Sequence, residues 1–130
     1  MELVAALEAE VVAHARACLP EEACGLVAGK DGRAARILPM RNLDRSASTY
    51  RLDPVEQLAA FDEIEREGFE LLAIYHSHPS GPAEPSDLDR RLAFYPDARY
   101  LIVSLADPGR PEVRAFRIAD GAAVEEAIER

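Results

Sequence analysis

No apolar run in this 130-residue chain reaches the roughly 18–20 residues that a membrane-crossing helix needs, so none is expected. The opening residues, MELVAALEAEVVAHA, lack a basic segment and carry acids throughout, which excludes the pattern of a secretory signal. A cytoplasmic location is the expectation. Cysteine is scarce. Cys18 and Cys24 are the only two and form no C-x-x-C pair, so both are read as buried free thiols in a reducing compartment. The missing P-C-x-x-C segment also excludes a zinc nucleobase deaminase. Basic residues are outnumbered, 15 against 24 acids, for a net charge of −9. That balance argues against nucleic acid, which rewards a basic surface, and says little about a protein partner. Repeats, low-complexity tracts and linkers are absent. The expectation is one domain over residues 1–130, long enough for a core that the 48% apolar content can fill.

What is present alternates between helix and strand patterns. Residues 2–19 carry a helical apolar stripe at Leu3, Leu7, Val11 and Ala15, ended by Pro20. Residues 24–28 and 34–38 read as strands joined by a hairpin at Lys30-Asp31-Gly32. A short strand is expected over 49–52. Asp53-Pro54 then reads as N-cap and first residue of a helix that Gly68 stops. Residues 69–75, FELLAIY, form a strand, 87–94 a short helix, and 100–105 and 113–118 two more strands. Asp120-Gly121 marks a turn, and the last ten residues fit a strand or a short helix equally well. The fold class is therefore α/β, a mixed sheet packed by helices.

Two of the three histidines, His76 and His78, follow the FELLAIY strand, one residue apart. Side chains at i and i+2 of a strand share a face, so both can grip one ion, and Asp89 can return from the loop as a third ligand. Two imidazoles and a carboxylate, with a position left for water, make a catalytic rather than a structural zinc site. Pro79, Gly81, Pro82 and Pro85 stiffen the intervening loop, which lowers the entropy lost in presenting a ligand. The plain alternative is a solvated loop with two incidental histidines. An Fe(II) oxygenase uses the same ligand types, but orders them H-x-D…H on an all-β barrel. Ser86, as Ser-Asp-Leu-Asp ahead of an apolar segment, is a good N-cap and would hold Asp89 in the first helical turn.

The order His-Ser-His, seven residues, Ser, two residues, Asp resembles the signature of the JAMM metalloproteases, or MPN+ domains. His76, His78, Ser86 and Asp89 fall at its positions. The upstream segment PEEACGLVAG supplies Glu22 where that family has a glutamate ahead of a glycine-bearing strand. The resemblance covers nearly the whole chain and implies an MPN-type mixed sheet. It also implies a zinc ion, one per chain, held by His76, His78 and Asp89, that acidifies a water and polarises the scissile carbonyl. Glu22 would take the water's proton and deliver it to the leaving amine, and Ser86 would add an oxyanion donor. Without the resemblance, Glu22 would read as a solvated residue of the Glu21-Glu22 pair.

The implied activity is a zinc peptidase or isopeptidase that cuts after the C-terminal Gly-Gly of a ubiquitin-like or sulfur-carrier protein. A diglycine tail can lie extended beside an exposed strand and add main-chain hydrogen bonds; the edge near residues 49–52 and the loop 81–85 are the candidate tracks. The alternative is a non-catalytic scaffold or binding module of the same fold. Such proteins characteristically lose ligands, and none is missing here. Many relatives of this kind have Trp where this chain has Ile74, which puts the pocket's shape in question. Arg41, Arg45 and Arg51 form a local basic stretch that reads best as a solvated face. Ser77, pointing away from its neighbours, is expected to pack or hydrogen-bond. His14, on the first helix, is expected at the surface or boundary. Cys24 shares a face with Glu22 if that segment is extended, so a fourth-ligand or redox role is conceivable for it.

Overall fold

The computed structural model describes residues 1–130. Its elements run α1 (Ala5–Cys18), β1 (Cys24–Lys30), β2 (Arg33–Met40), α2 (Pro54–Arg66), β3 (Glu70–His78), α3 (Asp87–Arg91), β4 (Arg99–Ser104), β5 (Glu112–Ala119) and β6 (Ala122–Glu126). One six-stranded sheet has the order β2-β1-β3-β4-β5-β6. Only the central pair, β3 and β4, is parallel; the other pairings are antiparallel.

Local chemistry sets the antiparallel turns. Asp31 and Gly32 take φ of 53° and 76°, and Asp120 and Gly121 take 52° and 76°. Two successive positive φ values give the hairpin turn whose twist matches the strands it joins, and Asp-Gly supplies them at low cost. The second of these turns makes the chain's end a strand, β6, which resolves the ambiguity in the pattern. Asp53 caps α2 by accepting from Val55 N–H at 2.9 Å, with Pro54 at the first helical position.

The sheet is covered on both faces. On one, Val11, Val12 and Ala15 of α1 pack on Val27, Ala73, Tyr75, Leu101 and Val103. On the other, Ala60 and Ile64 of α2 pack on Leu26, Ile74, Tyr100, Ile102 and Phe116. Alternate residues of each strand thus feed two cores, which is why β3 and β4 read as unbroken apolar runs. Each such Leu or Ile contributes about 1.5–3 kcal/mol by leaving water. Gly25 is needed where it stands, because a Cβ there would lie 2.4 Å from the Tyr75 ring.

Three expectations need correction. Residues 49–52 are not a strand; Leu52 makes one isolated bridge to Asn42. The Asn42 side chain bonds Thr49 O at 2.9 Å and Arg51 N–H at 3.1 Å, so these backbone groups need no strand partner. The helix expected to reach residue 94 ends at Arg91. Tyr95 precedes Pro96, a position that disfavours helical backbone, and Tyr95 N–H instead donates to Tyr100 Oη at 3.0 Å. Cys18 is half-buried rather than buried, while Cys24 is fully buried; both are free thiols.

Candidate metal centre

Residue parity places Ile74, His76 and His78 on the α2 face of the sheet, at the C-terminal end of β3. α3 brings Asp89 over that end. Its start is a capping box: Ser86 Oγ accepts from Asp89 N–H at 3.0 Å, and Ser86 N–H donates to Asp89 Oδ2 at 2.9 Å. The cap that starts the helix therefore fixes the carboxylate as well.

His76 Nε2, His78 Nε2 and Asp89 Oδ2 form a triangle with all three sides 3.1 Å. Ligand atoms about 2.0–2.1 Å from a tetrahedral ion stand about 3.3 Å apart, so the triangle has the dimensions of three corners of such a site. His76 is 1% exposed, and the side chains of His78 and Asp89 are 12% and 11% exposed. Pro82 O lies 2.7 Å from His78 Nδ1. A carbonyl can only accept, so Nδ1 carries the proton and Nε2 keeps its lone pair for the shared point. The Tyr50 ring stacks on His76 with centroids 4.4 Å apart. The donor set fits a zinc ion: two nitrogens and one oxygen, convergent and nearly dry.

Electrostatics support the same arrangement. Burial by itself would raise the Asp89 carboxyl, but the adjoining His76 and His78 rings and the Ser86 N–H outweigh it and hold the group well below the usual carboxylate range. Burial lowers His76, with Asp89 opposing only in part. At His78 burial also acts downward, but Asp89 and the Pro82 carbonyl win and raise it.

Glu22 lies just before β1 and is 3% exposed. Burial pushes its carboxyl up to about 7, with His78 acting downward and Asp89 upward. Its Oε1 has no hydrogen-bond partner, an unusual state for a buried carboxylate oxygen. The backbone around it is held firmly. Glu22 N–H donates to Ser46 O at 2.8 Å, and Asn42 Nδ2 donates to Glu22 O at 3.1 Å. Glu22, His78 and Ser86 line a polar cleft of about 380 Å³. Asp89 lines a second, mostly apolar cleft of about 350 Å³, walled by Tyr50, Leu52, Ile74, Leu92 and Phe94 among others. Two clefts of opposite character thus border the candidate ligand set, one at His78 and the other at Asp89.

The structure brings His76, His78 and Asp89 together, and Glu22 and Ser86 line the polar cleft that His78 also lines. It leaves Cys24 out. Cys24 pairs with His76 across the β1–β3 ladder, but its Sγ donates to Arg41 O at 3.4 Å and burial pushes the thiol up to about 12. A protonated thiol turned toward carbonyls is no ligand. Ser77 accepts from Ala23 N–H at 2.8 Å, the hydrogen-bonding role expected of it. His14 is half-buried and bonds Tyr75 Oη at 2.6 Å on the opposite face of the sheet. Arg41 pairs with Asp53 and Glu56, and Arg51 with Asp44, as a solvated face would. Tyr50, Asn42 and Ser104 were missed. A polar Ser104 closing the apolar run YLIVS was the one sequence signal available among them.

Comparison with known proteins places the chain among relatives of the same fold. A CysO-cysteine peptidase of Mycobacterium tuberculosis is 48% identical over 120 residues, covering 91% of this chain and 82% of that protein. A probable TtuB-protein conjugate cleaving protease of Thermus thermophilus is 41% identical over 113 residues, 86% and 72% of the two chains. The solution structure of protein DSY2949 from Desulfitobacterium hafniense superposes with a TM-score of 0.90 at 44% identity, covering 98% of this chain and 90% of that one. Fold, site and relatives define an enzyme of the peptidase class on an MPN-type sheet. The chain belongs to the prokaryotic homologs of the JAB domain, whose family pattern matches residues 4–119.

Proposed function

We propose that this protein is a zinc-dependent peptidase that cleaves after the C-terminal Gly-Gly of a ubiquitin-like or sulfur-carrier protein. The observation that carries the reading is the 3.1 Å triangle of His76, His78 and Asp89, with the buried Glu22 carboxyl in the polar cleft that His78 also lines. Zinc held there supplies Lewis acidity toward a water and a scissile carbonyl. Glu22 is the general base: a carboxyl raised to about 7 can accept a proton and return it near neutral pH. The proton goes on to the leaving amine, so the amine occupies the polar cleft that Glu22 lines. The carrier's tail then approaches through the apolar cleft on the other side, along residues 49–52. Ser86 Oγ uses a lone pair on Asp89 N–H and keeps its proton free to donate to a developing oxyanion.

The relatives support this choice of substrate. The name of the mycobacterial protein joins CysO to cysteine, and that of the Thermus protein joins TtuB to proteins. Both names describe an enzyme that cuts a joined pair, CysO with cysteine in one and TtuB with protein in the other. We place the reaction in the cytoplasm, in keeping with two free cysteines.

The test is cleavage of a diglycine-tailed carrier fused to a reporter protein, with zinc-loaded wild type beside Glu22→Gln. Cutting after the diglycine by wild type, lost in the variant, is the expected result. Equal cutting by both would remove Glu22 from the mechanism. No cutting of any diglycine-tailed carrier by zinc-loaded protein would sink the substrate assignment.

A further inference from the structure

We infer that Ser104, the last residue of β4, is a positioning residue for the metal centre, acting on His78 through the loop that follows it; the inference rests on the metal reading above. Ser104 is 5% exposed and pairs with His78 in the parallel β3–β4 register. Its hydroxyl donates to Gly81 O at 2.6 Å and accepts from Ala106 N–H at 3.2 Å. Gly81 packs against the His78 side chain; a Cβ there would stand 3.8 Å from His78 Cβ and 4.0 Å from Nδ1. The next carbonyl along, Pro82 O, is the acceptor that fixes the His78 ring and its tautomer. The Ser104 hydroxyl thus anchors the residue immediately before the one that aims a ligand.

Other tethers do not replace it. Arg114 reaches Glu84 at 3.4 Å, but Glu84 is largely exposed and such a pair contributes little. Leu105 N–H donates to His78 O at 3.1 Å, which holds the His78 backbone rather than its ring. Ala83 is buried but apolar, and packing sets its position without setting the direction of a neighbouring carbonyl. The Ser104 bond, part-buried, is the side-chain tether that sets a direction at the Gly81–Pro82 peptide. Removing this hydroxyl takes away the side-chain donor of the Gly81 carbonyl and the acceptor of the Ala106 N–H together.

The experiment compares wild type, Ser104→Ala and Ser104→Cys as full chains, stripped of metal and reloaded with zinc or cobalt(II). Zinc affinity is read by competition with a chromophoric chelator, ligand geometry by the visible spectrum of the cobalt form, and fold by the thermal midpoint of the metal-free protein. Ser104→Ala is expected to hold zinc about tenfold more weakly, in the range seen for partners that orient a ligand, with an altered cobalt spectrum. Ser104→Cys, a poorer donor, should fall between the two. Affinity within about twofold of wild type and an unchanged spectrum would overturn the inference while leaving the metal site standing. So would weaker zinc binding with an unchanged cobalt spectrum and a matching loss of metal-free stability, which would make Ser104 a packing residue. Wild type that binds neither ion would overturn this inference and the metal reading together.

Discussion

Tyr50 lies flat on His76, with ring centroids 4.4 Å apart and planes 20° from parallel. It comes from the loop after β2 and also walls the apolar cleft. One ring therefore packs against a proposed metal ligand and walls the cleft beside it. Tyr50 Oη needs no partner for this, since the contact is made by the face of the ring.

Tyr50→Phe is expected to keep zinc affinity, whereas Tyr50→Ala weakens it severalfold, because such a stack is worth about 0.5–1.5 kcal/mol. Chelator competition measures both. An alanine variant as tight as wild type would show that the stack does not support His76.

Ser86 has two separable contributions. Ser86→Ala removes the α3 cap, which costs about 1 kcal/mol of stability, and removes the proposed oxyanion donor, which lowers kcat by about 10²–10³-fold. Ser86→Asn restores a cap without the hydroxyl. Thermal melts should recover in the asparagine variant while kcat stays low. Recovery of both would reduce Ser86 to a cap.

Asn42 spends its whole side chain on one loop. Its Nδ2 donates to Glu22 O and Thr49 O, and its Oδ1 accepts from Asp44 N–H and Arg51 N–H. Asn42→Ala should lower stability by about 1–2 kcal/mol, since the part-buried Glu22 O and Thr49 O lose their partner together. Calorimetry gives the stability and zinc titration the site. Zinc stoichiometry should persist, because none of the three ligands lies on that loop, while kcat/KM falls as Glu22 loses a backbone tether. A variant that turns over substrate normally would count against a role for the loop in placing Glu22.

Glu22 predicts a pH-dependent stability in the metal-free protein. Its folded pKa, about 7, lies above the ordinary 4.5, so the fold prefers the protonated form. Its stabilising contribution is complete below pH 4.5 and is lost as pH rises through 7. Glu22→Gln, which cannot ionise, should exceed wild type in stability at pH 8 by about 2 kcal/mol, with screening at the open side of the site allowed for. The advantage should vanish near pH 4.5. Parallel denaturation curves at the two pH values decide it, and a constant difference would mean that Glu22 is not buried as a charge.

The sequence determined the ligand set, the cap that presents Asp89 and most of the sheet. His76 and His78 share a face because strand side chains alternate, and Ser86 caps because Ser, immediately before the helix begins, has an oxygen to offer the N–H of its third residue, Asp89. Asp31-Gly32 and Asp120-Gly121 specify their turns through backbone conformations that few other pairs adopt. Glu22 was legible only through resemblance, since a glutamate beside another glutamate has no local mark of burial. What tertiary structure decided is what depends on long-range neighbours. Residues 49–52 have the composition of a strand, but Asn42 supplies their hydrogen bonds, so no strand forms. Cys24 lies beside His76 in the ladder, yet its thiol turns to Arg41 O and stays out of the site. The raised Glu22 carboxyl, the Tyr50 stack and the Ser104 anchor all arise where segments far apart in the chain exclude water together, and electrostatics and packing at such places follow from burial, which local pattern does not encode.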